Sequence, residues 1–257
     1  MIAVENVSKS FDGGGSFAIR GVNLRVPART FVAIVGDSGS GKTTLLKTIN
    51  RLIEPNEGEV LIDGEPVCTV APHALRRRIG YVFQGIGLFP HMSIAENIGI
   101  TPRLIGWPEP QVRARIEELI ELVALPRAYL TRLPAELSGG QRQRVGIARA
   151  LAARPYIMLM DEPFGALDPL TRDALGTEYR RLHERMRLTT LMVTHDILEA
   201  VLLADRIVVM RAGAIVADGE PHELLSGHPD PEVRTLMDMP RRQAERVRAL
   251  VEERGGE

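Results

Sequence analysis

Residues 31–44 read FVAIVGDSGSGKTT, and the order of residue types in that stretch decides the fold. Phe31–Val35 is an unbroken apolar run, as expected for a strand covered on both faces. Gly36-Asp-Ser-Gly-Ser-Gly41 then breaks the strand, and Lys42–Ile53 follows at helical spacing, stopped by Pro55. The loop fits G-x-x-x-x-G-K-[ST], set between a strand and a helix. Its glycines let backbone N–H groups converge on a polyphosphate, and the helix N-terminus adds partial positive charge. Lys42 is suited to neutralising the β and γ phosphates and the Thr43 hydroxyl to ligating Mg²⁺. The candidate cradle is therefore Gly36, Asp37, Ser38, Gly39, Ser40, Gly41, Lys42, Thr43 and Thr44. A plain glycine turn before a capped helix uses similar residues, but the flanking strand and helix favour the phosphate loop.

Upstream, Val4–Val7 and Phe17–Val26 read as strands around an Asp12-Gly-Gly-Gly15 turn, and Gly58–Ile62 and Ile79–Phe83 as two more. From Leu88 to Ala152 the pattern turns helical, with no convincing strand. Val112, Ile116, Leu119, Ile120 and Val123 recur at three-to-four spacing within Pro110–Leu125, and Gly139–Ala152 forms another helix. Short apolar runs then return at Tyr156–Met160, Leu191–Val193 and Ile207–Met210, separated by helices at Pro169–Met186 and Asp196–Leu203. That alternation predicts a parallel sheet. The expected fold class is α/β: a core of residues 1–87 and 153–228 with a mainly parallel central sheet and an N-terminal antiparallel part. An all-helical insert, 88–152, interrupts it. A charged helical tail, 229–257, follows, with Val233, Leu236, Met237, Val247, Leu250 and Val251 as packing residues.

Composition narrows the function. The 257 residues carry 32 basic and 33 acidic side chains, a balance that argues against a dedicated nucleic-acid binder. Cys68 is the single cysteine, so no intrachain disulfide forms; a reducing compartment is compatible. The start, MIAVENVSKSF, lacks a basic-then-apolar signal pattern. The longest charge-free stretch, Ile79–Ala95, is broken by Gln84, Pro90, His91 and glycines and could not span a bilayer as a helix.

Tyr156–Met160 ends in Asp161-Glu162. Carboxylates are costly to bury unless paired or metal-bound, and at the C-terminal end of a central strand they face the ligand crevice. Strand alternation would give the two acids separate tasks, with Asp161 holding Mg²⁺ and Glu162 acting as general base on water.

A phosphate loop alone fits a kinase, a GTPase or a helicase. Leu137-Ser-Gly-Gly-Gln141, at the mouth of a helix on the insert, decides among them. With the preceding motifs it resembles the nucleotide-binding subunit of ATP-binding cassette (ABC) transporters, of P-loop NTPase fold. The resemblance implies ATP and Mg²⁺ as ligands and covers nearly the whole chain. It implies that Leu137, Ser138, Gly139, Gly140 and Gln141 complete the ATP site of a second copy in a head-to-tail dimer. A Cβ at those glycines would hold that phosphate away. Gln84 matches the Q-loop glutamine that senses Mg²⁺ and water, and His195 the switch histidine at the γ-phosphate. Asp168, in Ala166-Leu-Asp168, matches the loop crossing the dimer interface, or simply caps the helix that Pro169 begins. Phe11 matches the aromatic that stacks on adenine, or packs.

Gln84-Gly-Ile-Gly-Leu-Phe-Pro-His91 with Thr101-Pro-Arg-Leu-Ile-Gly-Trp107 is similar to the ATPase subunits of osmoprotectant importers, which move glycine betaine, choline or carnitine. The resemblance implies a motor peripheral on the cytoplasmic face of the membrane. Its partners would be transmembrane permease subunits and an extracytoplasmic substrate-binding protein. Relatives often carry a C-terminal pair of regulatory domains, and other residues are common at Asp37 and Gly85. The apolar stretch from Gly85 to Asn97, with Ile86, Leu88, Phe89, Met92 and Ile94, reads as core between subdomains or as a groove for a short permease helix. Alternatives are an importer for another small solute, an exporter, a P-loop kinase, and a soluble cassette ATPase acting on nucleic acid or ribosomes. The kinase leaves Leu137–Gln141 unexplained, and the soluble ATPases usually fuse two cassettes or carry long coiled coils.

Overall fold

The computed structural model describes residues 1–85 and 87–254, with side chains as far as Arg248. Strands β1 (Ile2–Ser10) and β2 (Phe17–Val26) pair antiparallel, and β3 (Phe31–Val35) leaves them to enter a different sheet. β4 (Glu57–Ile62) and the short β5 (Glu65–Pro66) complete the antiparallel sheet in the order β2-β1-β4-β5. The main sheet adds β6 (Ile79–Val82), β7 (Ile157–Asp161), β8 (Thr189–Val193), β9 (Arg206–Arg211) and β10 (Ala214–Gly219) in the order β10-β9-β3-β8-β7-β6. Neighbours from β9 to β6 run parallel, and β10 closes the edge as an antiparallel hairpin with β9.

The two-residue period of a strand divides the core. Phe31, Ala33 and Val35 enter one apolar cluster with Met158, Met160 and Met192, while Val32 and Ile34 enter another with Ile157, Leu159 and Leu191. The second cluster is roofed by helix α1 (Lys42–Ile49) and by Val4, Val7 and Leu24 of the antiparallel sheet. The other face takes the remaining large helices. These follow α2 (Pro72–Arg77) as α3 (Ile94–Leu104), α4 (Glu109–Leu122), α5 (Gly139–Leu151) and α6 (Pro169–Met186). Then come α7 (Ile197–Leu203), α8 (Pro221–Ser226), α9 (Pro231–Met237) and α10 (Met239–Arg254).

Helices α3 to α5 sit between β6 and β7, and the five periodic residues, four in α4 and Val123 at its C-cap, are all buried. Two arginines lock α4 to α5 reciprocally. Arg115 of α4 donates to the carbonyls of Leu151 (2.8 Å) and Ala152 (3.4 Å) at the end of α5. Arg144 of α5 donates to the Ala124 carbonyl (2.9 Å) just past the end of α4. Each guanidinium thus satisfies last-turn carbonyls and places positive charge at the negative end of a helix dipole.

Some elements differ from expectation. α1 stops at Ile49 rather than Ile53, because Arg51 turns left-handed at φ 55° and Leu52 N–H bonds back to the Lys47 carbonyl. The Arg51 guanidinium, held by the carbonyls of Val67, Cys68 and Val70, fixes that exit. Helix α3 was not foreseen as such. It begins at a Ser93/Glu96 capping box and tolerates Pro102 near its end. Its Ile94 is core, as one of the two roles read for the stretch 85–97 requires, whereas Phe89 is 40% exposed; Ile86 lies outside the described residues. In the tail Val233 and Met237 are buried, but Val247 is 62% exposed on the polar helix α10. The side chains of Leu250 and Val251 lie outside those described.

The reciprocal lock has a measurable consequence. Arg115→Met keeps the volume but orphans two carbonyls, and should cost about 1–3 kcal/mol, read as a lower urea midpoint. An unchanged midpoint would mean that the lock contributes nothing.

Candidate functional site

The C-terminal ends of β3, β8, β7 and β6 are adjacent, and each carries sequence-predicted site residues: the phosphate loop, His195, Asp161-Glu162 and Gln84. Parallel strands bring such ends to one edge, where ligands bind in open α/β sheets. The loop needs its glycines for steric reasons within the chain. Gly36 has φ 144°, and a Cβ there would lie 2.1 Å from the Met210 carbonyl oxygen; at Gly41, φ 99°, one would lie 2.4 Å from the Ala18 oxygen. Strands β9 and β2 therefore press on the loop from outside. Ser40 is buried, while Asp37, Ser38 and Gly39 are exposed at the turn closed by Ser40 N–H and the Asp37 carbonyl (3.2 Å).

Lys42 is 7% exposed. Its ammonium donates to the carbonyls of Gly36 (2.8 Å) and Asp37 (2.7 Å) and lies 3.3 Å from Ser40 Oγ. Burial pulls its pKa below the usual lysine value, against the pull of Glu162, Asp37 and Asp161. On the opposite wall Asp161 is 1% exposed and accepts from the Thr43 hydroxyl at 2.8 Å. Burial pushes this carboxyl above its ordinary range, with the Thr43 hydrogen bond, Lys47 and Lys42 opposing. Thr44 is half-buried on the first turn of α1.

Asp161 and Glu162 diverge, but not through strand alternation as expected. Glu162 lies beyond the strand at φ 48°, a left-handed conformation that costs an ordinary side chain of order 1–3 kcal/mol. Its N–H bonds to the Val193 carbonyl at 2.9 Å, which anchors the turn to β8. Its carboxylate stands 3.5 Å from His195 Nδ1, and the His195 side chain is 64% exposed. Gln84 is exposed in the turn after β6. The edge thus gathers a desolvated cation, a desolvated carboxylate, a strained half-buried carboxylate and an imidazole.

Leu137 is buried, and Ser138 caps α5 through a capping box: Gln141 N–H donates to Ser138 Oγ (3.3 Å) and Ser138 N–H to Gln141 Oε1 (2.9 Å). The two glycines differ. A Cβ at Gly139 would meet nothing within 4 Å, whereas one at Gly140 would press to 3.1 Å on Leu167 Cδ2. Asp168 caps α6, accepting from Thr171 N–H at 3.0 Å, and that bond holds its pKa down. Phe11 is 65% exposed with the Lys9 ammonium 5.4 Å from its ring centroid, so it is not a core residue.

Three further residues join these loops in roles that escaped the sequence reading. Gln143 of α5, 2% exposed, donates to the Glu162 carbonyl at 3.4 Å. Arg172 of α6 donates to the Leu167 carbonyl (3.3 Å) and pairs with Asp196 (3.0 Å), the residue after His195. Glu199, buried under the same turn, has its carboxyl raised by desolvation to about 7. Each is a polar side chain inside a helix, and its periodicity does not distinguish it from a solvated one.

The oxygen donors Thr43 and Asp161 suit a hard divalent cation. Among the described residues no group of three or more His, Cys, Asp and Glu could hold a metal. A cation here would complete its shell with phosphate oxygens and water, as Mg²⁺ does at nucleotide sites.

Comparison with known proteins agrees with this geometry. A family model described as ABC transporter matches residues 19–165. The choline transport ATP-binding protein OpuBA of Bacillus subtilis is 52% identical over 230 residues, 90% of this chain and 60% of that protein. The glycine betaine uptake system ATP-binding protein YehX of Escherichia coli is 48% identical over 226 residues, 88% of this chain and 73% of that protein. The post-hydrolysis dimeric structure of the ATP-binding cassette MJ0796, bound to ADP and Pi, superposes with a TM-score of 0.80 at 35% identity, covering 86% of this chain and 98% of that one. The chain spans about three fifths of the length of OpuBA. It belongs to the ABC transporter family.

The desolvated carboxylate makes a trade-off visible. Asp161→Asn keeps an acceptor for Thr43 but removes a buried charge, so the ligand-free chain should melt roughly a few degrees higher. The added stabilisation by Mg·ATP should be lost in the same variant. A ligand-free melting temperature below wild type would show that the charge is not a burden to the fold.

Proposed function

We propose that the chain is the ATP-hydrolysing motor of an importer, moving quaternary-amine osmoprotectants such as glycine betaine or choline. The observation that carries the reading is the placement of Lys42, Thr43, Asp161, Glu162 and His195 at one sheet edge, with Ser138 exposed on a separate helix mouth. The first set suits one face of a nucleoside triphosphate, and Ser138 suits the other face of a triphosphate bound to a second copy. Two copies related head to tail then form two equivalent composite sites.

In this reading Lys42 and the loop amides hold the β and γ phosphates, with Thr43 and Asp161 as cation ligands. A bound Mg²⁺ supplies charge neutralisation and fixes the phosphate oxygens. Gln84 contacts the reacting water and cation. Glu162, turned out of the strand, accepts a proton from the attacking water while His195 faces the γ-phosphate. Phe11 offers its open ring face to the base, and Asp168 meets the partner while capping α6. Closure of the dimer shifts the helical insert; loss of the γ-phosphate contacts after hydrolysis releases it.

The exposed apolar side chains Phe83, Phe89, Leu104 and Ile105 on and beside the insert support docking of a permease segment there. Among the described residues no helix is long and apolar enough to cross a membrane. In this reading the motor sits on the cytoplasmic face, attached through the permease, with cargo captured by an extracytoplasmic binding protein. The names of OpuBA and YehX support the cargo class.

Glu162→Gln should bind ATP, turn over about 10²–10⁴-fold more slowly, and accumulate as an ATP-dependent dimer in size-exclusion chromatography. Wild-type turnover in that variant removes Glu162 from the base role. Gly139→Ala separates fold from function: alanine on the first turn should stabilise the chain by about 0.4–1 kcal/mol, yet the ATP-dependent dimer should disappear. For the transport assignment, the chain should co-purify with membrane subunits and support uptake of labelled betaine or choline. A cytosolic, partnerless chain whose loss disturbs ribosomes or DNA defeats it.

A further inference from the structure

Among the described residues, three buried side-chain polar atoms lack a hydrogen-bond partner within the chain: Tyr81 Oη, Arg144 Nε and Arg172 Nε. The two arginines bond through their other nitrogens, to the Ala124 carbonyl and to Asp196. Tyr81 has a single hydroxyl, so its whole bonding capacity is unused. Its placement is also inverted. A partly exposed tyrosine ordinarily turns its polar tip to water and buries its ring. Tyr81 is half-buried, and it is the hydroxyl that is shut away. An edge contact with Phe83, ring centroids 4.5 Å apart, holds the ring in that attitude.

Strand register shows what the hydroxyl shares its surroundings with. Tyr81 pairs with Leu159 on the parallel neighbour β7, and Asp161 follows two residues later on the same face. Tyr81 packs on the cluster that holds Leu159 beneath α1, the helix that carries Thr43. The hydroxyl therefore lies in the layer between β6–β7 and α1 that also contains the Thr43–Asp161 pair. Burial, and then the Asp161 carboxylate, hold the phenol above its ordinary pKa, so it keeps its proton and can donate it. Phenylalanine would fill the same space without desolvating a hydroxyl, so packing does not account for the oxygen.

We propose that Tyr81 is a positioning residue of the cation site, its hydroxyl donating to the water shell of the Mg²⁺ that Thr43 and Asp161 hold. This rests on the nucleotide reading above. Thr43 and Asp161 leave most of an octahedral shell to phosphate oxygens and waters. A neutral proton donor buried beside them orients one such water without adding charge, as outer partners do at other metal sites. The contact lies within one subunit and needs no partner copy.

The test is a thermal-melting titration of the full chain with magnesium chloride at a fixed concentration of a non-hydrolysable ATP analogue, for wild type and Tyr81→Phe. The variant keeps the ring and its contact with Phe83. Without cation it should melt at or above the wild-type temperature, because an unpaired buried donor has been removed. The Mg²⁺ concentration at half-maximal stabilisation should rise about tenfold or more, the loss expected when an outer partner of a metal site is removed. Affinity for the analogue in EDTA should stay as in wild type, which a general disturbance of the phosphate loop would not allow. An unchanged half-point overturns the assignment. So does a cation-free variant that melts below wild type, since the hydroxyl then has its partner in the fold itself. A matching loss of affinity in EDTA overturns it too. All three outcomes leave the motor reading intact. A wild-type chain that Mg²⁺ does not stabilise in the presence of the analogue fails the nucleotide reading, and the proposal with it.

Discussion

Two charges withheld from water organise this molecule: the Lys42 ammonium and the Asp161 carboxylate, both nearly inaccessible at one sheet edge. Neither has a full counter-charge in contact. Lys42 leans on carbonyl dipoles of its own loop, and Asp161 on a threonine hydroxyl. Burial therefore pushes each toward its neutral form, the lysine downward and the aspartate upward. A metal-bound triphosphate answers both demands at once, with anionic oxygens for the lysine and a cation for the aspartate. On the function proposed above, the chain holds two unfavourable groups apart so that one ligand would satisfy them. That arrangement requires parallel strands ending side by side, which explains why the main sheet is built as it is.

Helix α5 connects that edge to the helical insert. Gly140 at its start packs on Leu167, Gln143 reaches the Glu162 carbonyl, and Arg149 near its end holds Gly87. One rigid element thereby touches the loops that follow two different strands, β7 and β6. Its rigidity is reinforced from α4, since the Arg115 and Arg144 brackets prevent the two helices from sliding past each other. An apolar interface alone would permit such sliding with little change in buried area, because hydrophobic contact is non-directional. Hydrogen bonds to helix-end carbonyls fix a register.

The sequence was informative where a single period or a single steric demand operated. β3 and α6 carry unambiguous signals and appear with the expected bounds, and the five periodic residues of α4 and its C-cap are all inside. It was less informative where a boundary depends on a distant partner. The end of α1 is set by an arginine that reaches carbonyls about one strand away, and no local pattern contains that contact. Helix α3 was obscured by Pro102, tolerated there near the helix end, and by apolar residues that serve both core and surface. At the site, motif residues were readable because their types are chemically scarce in those settings. Gln143, Arg149 and Arg172 were not, since glutamine and arginine on a helix are ordinary until the neighbouring loop is known. The left-handed turn at Glu162 was equally hidden, because the identity of a glutamate says nothing of φ.

Two hydroxyls show how structural and ligand-binding duties coexist on one side chain. A hydroxyl has one proton to give and two lone pairs to offer. Thr43 spends its proton on Asp161, which leaves lone pairs for a cation. Ser138 spends a lone pair on the Gln141 N–H, which leaves its proton for an anion. The complementary use follows from the local partner: a carboxylate can only accept, and a helix N-terminus can only donate. Each partner that fixes the side chain in the ligand-free chain therefore also selects the sign of charge the hydroxyl can receive. On the function proposed above, Thr43 and Ser138 would meet the cation side and the phosphate side of the same ligand class, and exchanging their partners would reverse both preferences.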